Sequence, residues 1–213
     1  MTIRFYRVDD EYGNFSNFAP FPVTIMGTVW QTSEHYFQAR KFTSNKVMLS
    51  VMDAATPMEA AKIGRNPSNE LRNDWESIKD EVMREAVAAK FSQHNDLRKL
   101  LLSTGDEEII EASPRDYYWG EGEDGTGRNE LGKILMQVRT ELREKELQPP
   151  PVEPWIFNSM AEPYDFFWSQ GEAEQVVVKW NQYFSSLSKE QKQKVIMSDE
   201  TPTEWKVIMK KLN

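Results

Sequence analysis

The stretch QPPPVEP, Gln148 to Pro154, constrains this chain of 213 residues more than any other. Each proline ring fixes φ and removes a backbone N–H, so no regular helix crosses the run. Consecutive prolines also hold a segment extended and semi-rigid. The sequence therefore predicts a domain over 1–147, a linker over 148–154 and an aromatic-rich helical extension over 155–213. A piece of about 60 residues is marginal alone, because small domains bury too little of their surface. Its aromatics, in WIFNSMAEPYDFFW and QVVVKWNQYF, are thus expected to pack on the first domain. A partner-binding surface is the other reading, since aromatics also mark interfaces.

Within the first domain the local signals are mixed, then helical. IRFYRV reads as a strand and PVTIMGTVW as a hairpin turning near Gly27. Thr32 or Ser33 is placed to cap a helix running to about Phe42. Thr56, Pro57 and Glu59 form a stronger start signal, and Gly64 is a candidate left-handed stop. NDWESIKDEVMREAVAAKF carries a buried stripe of Ile78, Val82, Ala86, Ala89 and Phe91. DLRKLLLSTG should end at Gly105, and EEIIEAS reads as a short strand. NELGKILMQVRTELREKEL is amphipathic, with Leu131, Ile134, Leu135, Val138 and Leu142 on one face. The expected class is α+β, mainly helical, with a few short strands and a small helical C-terminal appendage of two or three helices.

Composition excludes several chemistries. Without cysteine there is no disulfide, thiolate metal site or thiol nucleophile. The two histidines, His35 and His94, lie far apart, so no His-rich metal site is expected. MTIRFYRVDD lacks the apolar core of a secretory signal, and no run approaches the roughly 20 apolar residues of a membrane span. A cytoplasmic setting is expected. The formal net charge of -8 argues against an extended duplex-binding surface, which needs a basic face. A pocket for one nucleotide or an extruded base is compatible with it.

The polar candidates concentrate in four stretches. In TSEHYFQARKF, helical spacing places Glu34, Phe37, Gln38 and Lys41 within one sector of about 100°. Facing the core, this sector would bury a carboxylate and an ammonium; facing water, it would expose Phe37. Lining a pocket removes the conflict, with Phe37 as wall. The competing reading is a solvated helix face. In GRNPSNELRNDW, Arg65 and Arg72 suit anionic oxygens, Asp74 follows, and Trp75 can stack on a base; surface arginines with a core Trp75 are the alternative. YYWGEGEDGTGRNELG is glycine-rich, but Glu121, Glu123 and Asp124 would repel phosphate, and it matches no nucleotide fingerprint. It reads as a tight loop from which Trp119 and Asn129 can point inward. YGNFSNFAPF offers Asn14, Ser16 and Asn17 on an aromatic bed.

Taken in order, these stretches resemble the NADAR, or YbiA-like, family. The matching text is FY at Phe5 and Tyr6, YGNFSNF from Tyr12, WQTSEHYFQARKF from Trp30 and AAKIGR ending at Arg65. It continues with LRNDW ending at Trp75, KF at Lys90 and Phe91, LLSTGD ending at Asp106, and DYYWGEGEDGTGRNELGKILMQVR ending at Arg139. Nothing after the proline run resembles the family. The resemblance implies a compact, mainly helical α+β fold and an N-glycosidase acting at a ribose carbon without cofactor or metal. It implies Glu34 and Lys41 as catalytic, with Asn17, Gln38, Arg65, Arg72, Asp74, Trp75, Trp119, Gly120 and Asn129 binding substrate. Two substrates are implied: ADP-ribosylated guanine in a nucleotide or DNA, narrowly preferred because the appendage suits a nucleic-acid enzyme, and aminated riboflavin-pathway intermediates. A silent ADP-ribose- or NAD-binding module is the third possibility.

Overall fold

The computed structural model describes residues 2–147, 150–187 and 189–211. Gln148 and Pro149 of the expected linker lie outside the described residues. Contacts divide the chain into two units, Met1–Glu146 and Leu147–Asn213.

The first unit opens with strand β1 (Thr2–Phe5) and a 3-10 turn at Gly13–Phe15. Strands β2 (Val23–Ile25) and β3 (Thr28–Trp30) pair antiparallel, with Ile25 opposite Thr28. Their loop is Met26 at φ 51 and Gly27 at φ 75, a two-residue turn with both centres left-handed. That twist matches the strands it joins. Helices α1 (Ser33–Ala39), α2 (Asn45–Met52), α3 (Pro57–Gly64), α4 (Trp75–Gln93) and α5 (Asn95–Ser103) follow. Strand β4 (Glu108–Glu111) then returns to pair with β1 in parallel, Ile3 opposite Ile109, before helix α6 (Glu130–Leu147).

The core is one cluster. Phe15 packs edge-on to Phe5 and Phe91 at 5.8 and 5.6 Å between ring centroids. Val82, Ala86 and Phe91 of α4, with Leu131, Ile134, Leu135, Val138 and Leu142 of α6, complete it. Ile78 and Ala89 lie only partly buried beside it.

Two local expectations change, and one helix is new. Helix α1 stops at Ala39 rather than near Phe42, so Lys41 sits in the turn beyond it. Gly64 is not left-handed: it lies inside α3, where a Cβ would fall 1.8 Å from the Gln38 Oε1. Glycine is there for close approach, which lets α3 pack on the Gln38 side chain. Helix α2, which starts after Ser44 without a side-chain cap hydrogen bond, has no counterpart in the sequence reading.

The second unit contains α7 (Pro154–Phe157), a 3-10 turn at Phe166–Ser169, α8 (Gly171–Ser186), α9 (Lys189–Met197) and α10 (Thr203–Lys211). Its aromatics form a core of their own. Trp155 packs against Trp180 and Trp205 at 5.0 and 5.7 Å, and Trp168 against Trp205 at 5.6 Å. Phe184, Ile196 and Met209 fill the remainder. Large rings carry enough apolar area to give so short a unit an interior.

Candidate active site

Helix α1 is the structural oddity from which the site grows. Every residue from Thr32 to Ala39 is buried, charged and polar side chains included. Thr32 caps it, accepting from the His35 N–H at 3.3 Å. His35 bridges Thr32 Oγ1 at 2.8 Å and the Ala54 carbonyl at 3.1 Å. Burial holds its imidazole below the usual range, so it ties α1 to the chain before α3 as a neutral ring. Tyr36 donates to Glu85 on α4. These residues anchor the helix, leaving Glu34, Phe37 and Gln38 to face a cavity of about 690 Å³.

Several elements supply its walls. Asn17 comes from the loop after β1, Lys41 from the turn after α1, and Arg65 from the end of α3. Tyr6 and Arg7 follow β1, while Glu111 ends the parallel strand β4 and Ser113, Arg115 and Asp116 follow it. The parallel pairing is what brings these two chain exits to one place. Phe37 forms an aromatic wall, edge-on to Trp119 at 5.4 Å and backed by Trp75 at 5.1 Å.

Burial raises both cavity carboxyls, but their partners differ. Gln38 Nε2 donates to Glu34 Oε1 at 2.6 Å. Burial pushes the Glu34 carboxyl up, opposed by this hydrogen bond and by the charges of Lys41 and Arg65. Burial likewise holds the Lys41 ammonium below the ordinary lysine range, with Glu34 pulling the other way. The Lys41 Nζ lies 5.4 Å from the Phe37 ring centre and 5.8 Å from that of Trp75, and 3.5 Å from the Gly64 carbonyl. Glu111 is pushed up to about 8, first by burial and then by the charges of Asp116 and Glu34. Asp116 accepts from the backbone N–H groups of Tyr118 and Trp119 at 2.9 and 2.7 Å, which fixes the loop carrying Trp119. Three buried oxygens of cavity residues, Asn17 Oδ1, Gln38 Oε1 and Glu111 Oε2, have no hydrogen-bond partner. Among the described residues no group of three or more His, Cys, Asp or Glu is arranged to hold a metal ion.

Of the residues expected from the sequence, the cavity gathers Asn17, Glu34, Gln38, Lys41, Arg65 and Trp119. The others stand elsewhere. Arg72 closes a two-point pair on Asp74, Nε to Oδ1 at 2.6 Å and a terminal nitrogen to Oδ2 at 3.0 Å, outside the cavity wall. In this pairing the Arg72 guanidinium does not line the cavity. Trp75 is buried behind Phe37, so it supports the wall and does not offer a free face. Gly120 accepts the Asn129 N–H at 3.0 Å. Asn129, at φ 51, accepts from the Glu111 N–H at 3.0 Å and donates to the Ile109 carbonyl at 2.9 Å. Both residues brace β4 rather than touch the cavity. Conversely, the sequence reading missed Arg7, Glu111 and Arg115. Glu111 lay in a segment read only as a strand, and no local spacing joins it to Glu34.

Comparison with known proteins gives a consistent picture of the first unit. Residues 4–143 match the model of the NADAR domain. Over 140 residues the chain is 49% identical to the N-glycosidase YbiA of Escherichia coli, covering 66% of this chain and 88% of that protein. It is 46% identical over 142 residues to a riboflavin biosynthesis protein of Vibrio vulnificus, covering 67% of this chain and 39% of that longer protein. The solution structure of Escherichia coli YbiA superposes with a TM-score of 0.67 at 46% identity, covering 70% of this chain and 89% of that one.

Proposed function

The chain belongs to the NADAR family, and on that premise we propose that it is an enzyme that hydrolyses an N-glycosidic bond at the C1′ carbon of a phosphorylated ribose. The observation that carries this reading is the buried Glu34, held by Gln38 and neighboured by Lys41 inside an aromatic-walled cavity. Cleavage of such a bond passes through an oxocarbenium-like state. A carboxylate beside the sugar stabilises that cation and takes a proton from the attacking water. Lys41 supplies the charge that favours the ionised form of Glu34. As an amine it has a second candidate role, forming a Schiff base with the ring-opened sugar, for which a lowered pKa is the precondition. Arg65 is suited to the phosphate, and Trp119 to the face of the leaving base.

The name of the Vibrio vulnificus relative favours an aminated phosphoribosyl intermediate of riboflavin synthesis, releasing ribose 5-phosphate. This reverses the order of preference drawn from the sequence. ADP-ribosylated guanine is the second reading, supported by Arg7, Arg65 and Arg115 around one cavity, more cations than a single phosphate requires. The test is direct. The protein is incubated separately with the aminated phosphoribosyl precursor and with ADP-ribosylated guanine in single-stranded DNA, and free sugar phosphate or ADP-ribose is measured. Release from the first alone supports the riboflavin reading, and release from the second alone supports base repair. Tight binding without release from either would make the protein a binding module.

A further inference from the structure

We propose that Glu111, at the carboxyl end of β4, is the acid that gives its proton to the departing nitrogen; this rests on the glycosidase reading above.

The geometry around Glu111 leaves its carboxyl with nothing else to do. Its backbone is held on every side. The N–H donates to Asn129 Oδ1 at 3.0 Å, the carbonyl accepts from the Glu121 N–H at 3.0 Å, and β1 pairs alongside. A Cβ on Gly120 would come within 2.8 Å of that carbonyl, so the loop is pressed directly onto it. The side chain enters the cavity that holds Glu34, and its Oε2 is buried without a hydrogen-bond partner. No ion pair is formed with Glu111 among the described residues. An unpaired buried carboxylate is costly, and such a group relieves the cost by keeping its proton.

The charges around it point the same way. Asp116 on the following loop and Glu34 on α1 both oppose its ionisation. Arg7, Arg65, Arg115 and Lys41 line the same cavity, but burial and the two acids prevail and hold the group near 8. Glu34 differs in having the Gln38 amide and the nearby Lys41 and Arg65 charges on its side. Burial pushes both carboxyls up, but only Glu34 has an amide donor and two cations opposing that push, so one cavity holds two carboxyls in different surroundings, the arrangement that divides acid and base work between them.

The step balances without any further reactant. The C1′–N bond breaks and its electron pair takes the Glu111 proton, so the base leaves neutral. Water forms the new C1′–O bond and gives its proton to Glu34. One water is consumed, and after release a proton is lost from Glu34 and regained by Glu111 by exchange with bulk water. Lys41 need not supply this proton.

Glu111→Gln keeps the shape and removes the acid. With the aminated phosphoribosyl precursor, kcat is expected to fall by about 10²–10⁴-fold. The wild-type decline in kcat/KM above about pH 8 is expected to disappear from the residual rate, while the affinity for ribose 5-phosphate is retained. A merely structural Glu111 would lose product affinity together with the rate. If the Gln variant does not fold, Glu111→Asp decides: an alkaline limb of kcat/KM that moves with the altered carboxyl supports the acid, and an unmoved limb overturns it. Wild-type rate and an unchanged pH profile in Glu111→Gln overturn the inference alone. A wild-type protein that cleaves neither ribosyl substrate overturns the glycosidase reading, and this inference with it.

Discussion

Gln38 donates to Glu34 across one turn of a helix that is buried along its whole length, at 2.6 Å from Nε2 to Oε1. The bond favours the carboxylate against the burial that disfavours it. Gln38 reaches this position because Gly64 has no side chain to occupy its space.

Replacing Glu34 by Gln should therefore leave folding nearly unchanged and lower kcat by about 10²–10⁴-fold, the usual worth of a positioned acid or base. Thermal unfolding and turnover measured on one preparation check both halves. An active Glu34→Gln variant would remove Glu34 from the reaction.

Gln38→Leu removes a group that lowers the Glu34 pKa. The carboxyl then holds its proton to higher pH, so the acid limb of kcat/KM should move upward, with a smaller change at the pH optimum. Gly64→Ala should do the same by displacing the Gln38 amide. A pH–rate profile of each variant is the measurement.

Lys41→Met should also shift the acid limb upward, because the ammonium helps to keep Glu34 ionised. Lys41→Arg should recover part of the rate if charge is what matters. Borohydride added during turnover should then leave the lysine unmodified. A reduced sugar adduct on Lys41 would instead assign the covalent route.

Arg65 and Arg72 should separate cleanly. Arg65 lines the cavity and Arg72 is occupied by Asp74 outside it. Arg65→Ala should raise KM by about 10–100-fold, matching the roughly 1.5–3 kcal/mol of a hydrogen bond to a charged group. Arg72→Ala should change KM little, since an exposed pair is worth about 1 kcal/mol or less even to stability.

Lys90 gives the fold a pH dependence of its own. It is fully buried and donates to the Ser16 carbonyl at 2.8 Å, next to the Asn17 loop, and burial lowers its pKa to about 7 from 10.5. Above 10.5 both folded and unfolded chains carry a neutral amine. As pH falls from 10.5 to 7 the unfolded chain takes up the proton first, so stability is lost at up to about 1.4 kcal/mol per pH unit. Below 7 this contribution is constant. Urea unfolding of wild type and Lys90→Met between pH 7 and 10 should show the slope in the first and not in the second.

The sequence alone was enough for the features that depend on near neighbours. Thr32 and Thr56 cap their helices, the turn at Met26 and Gly27 closes its hairpin, and the i,i+4 spacing sets Glu34 against Gln38. Motif order along 4–143 was legible for the same reason, since it is a property of the string. What only the tertiary structure decided is where distant segments meet. The parallel pairing of Ile3 with Ile109 carries Arg7 and Glu111 to one cavity, and no local period encodes it. Likewise Asn129 braces a strand and Lys90 is buried under a loop, because each polar group settles on the partner that folding brings nearest. Desolvation is a property of the packed interior, so the upward shifts of Glu34 and Glu111 exist only once that interior has closed around them.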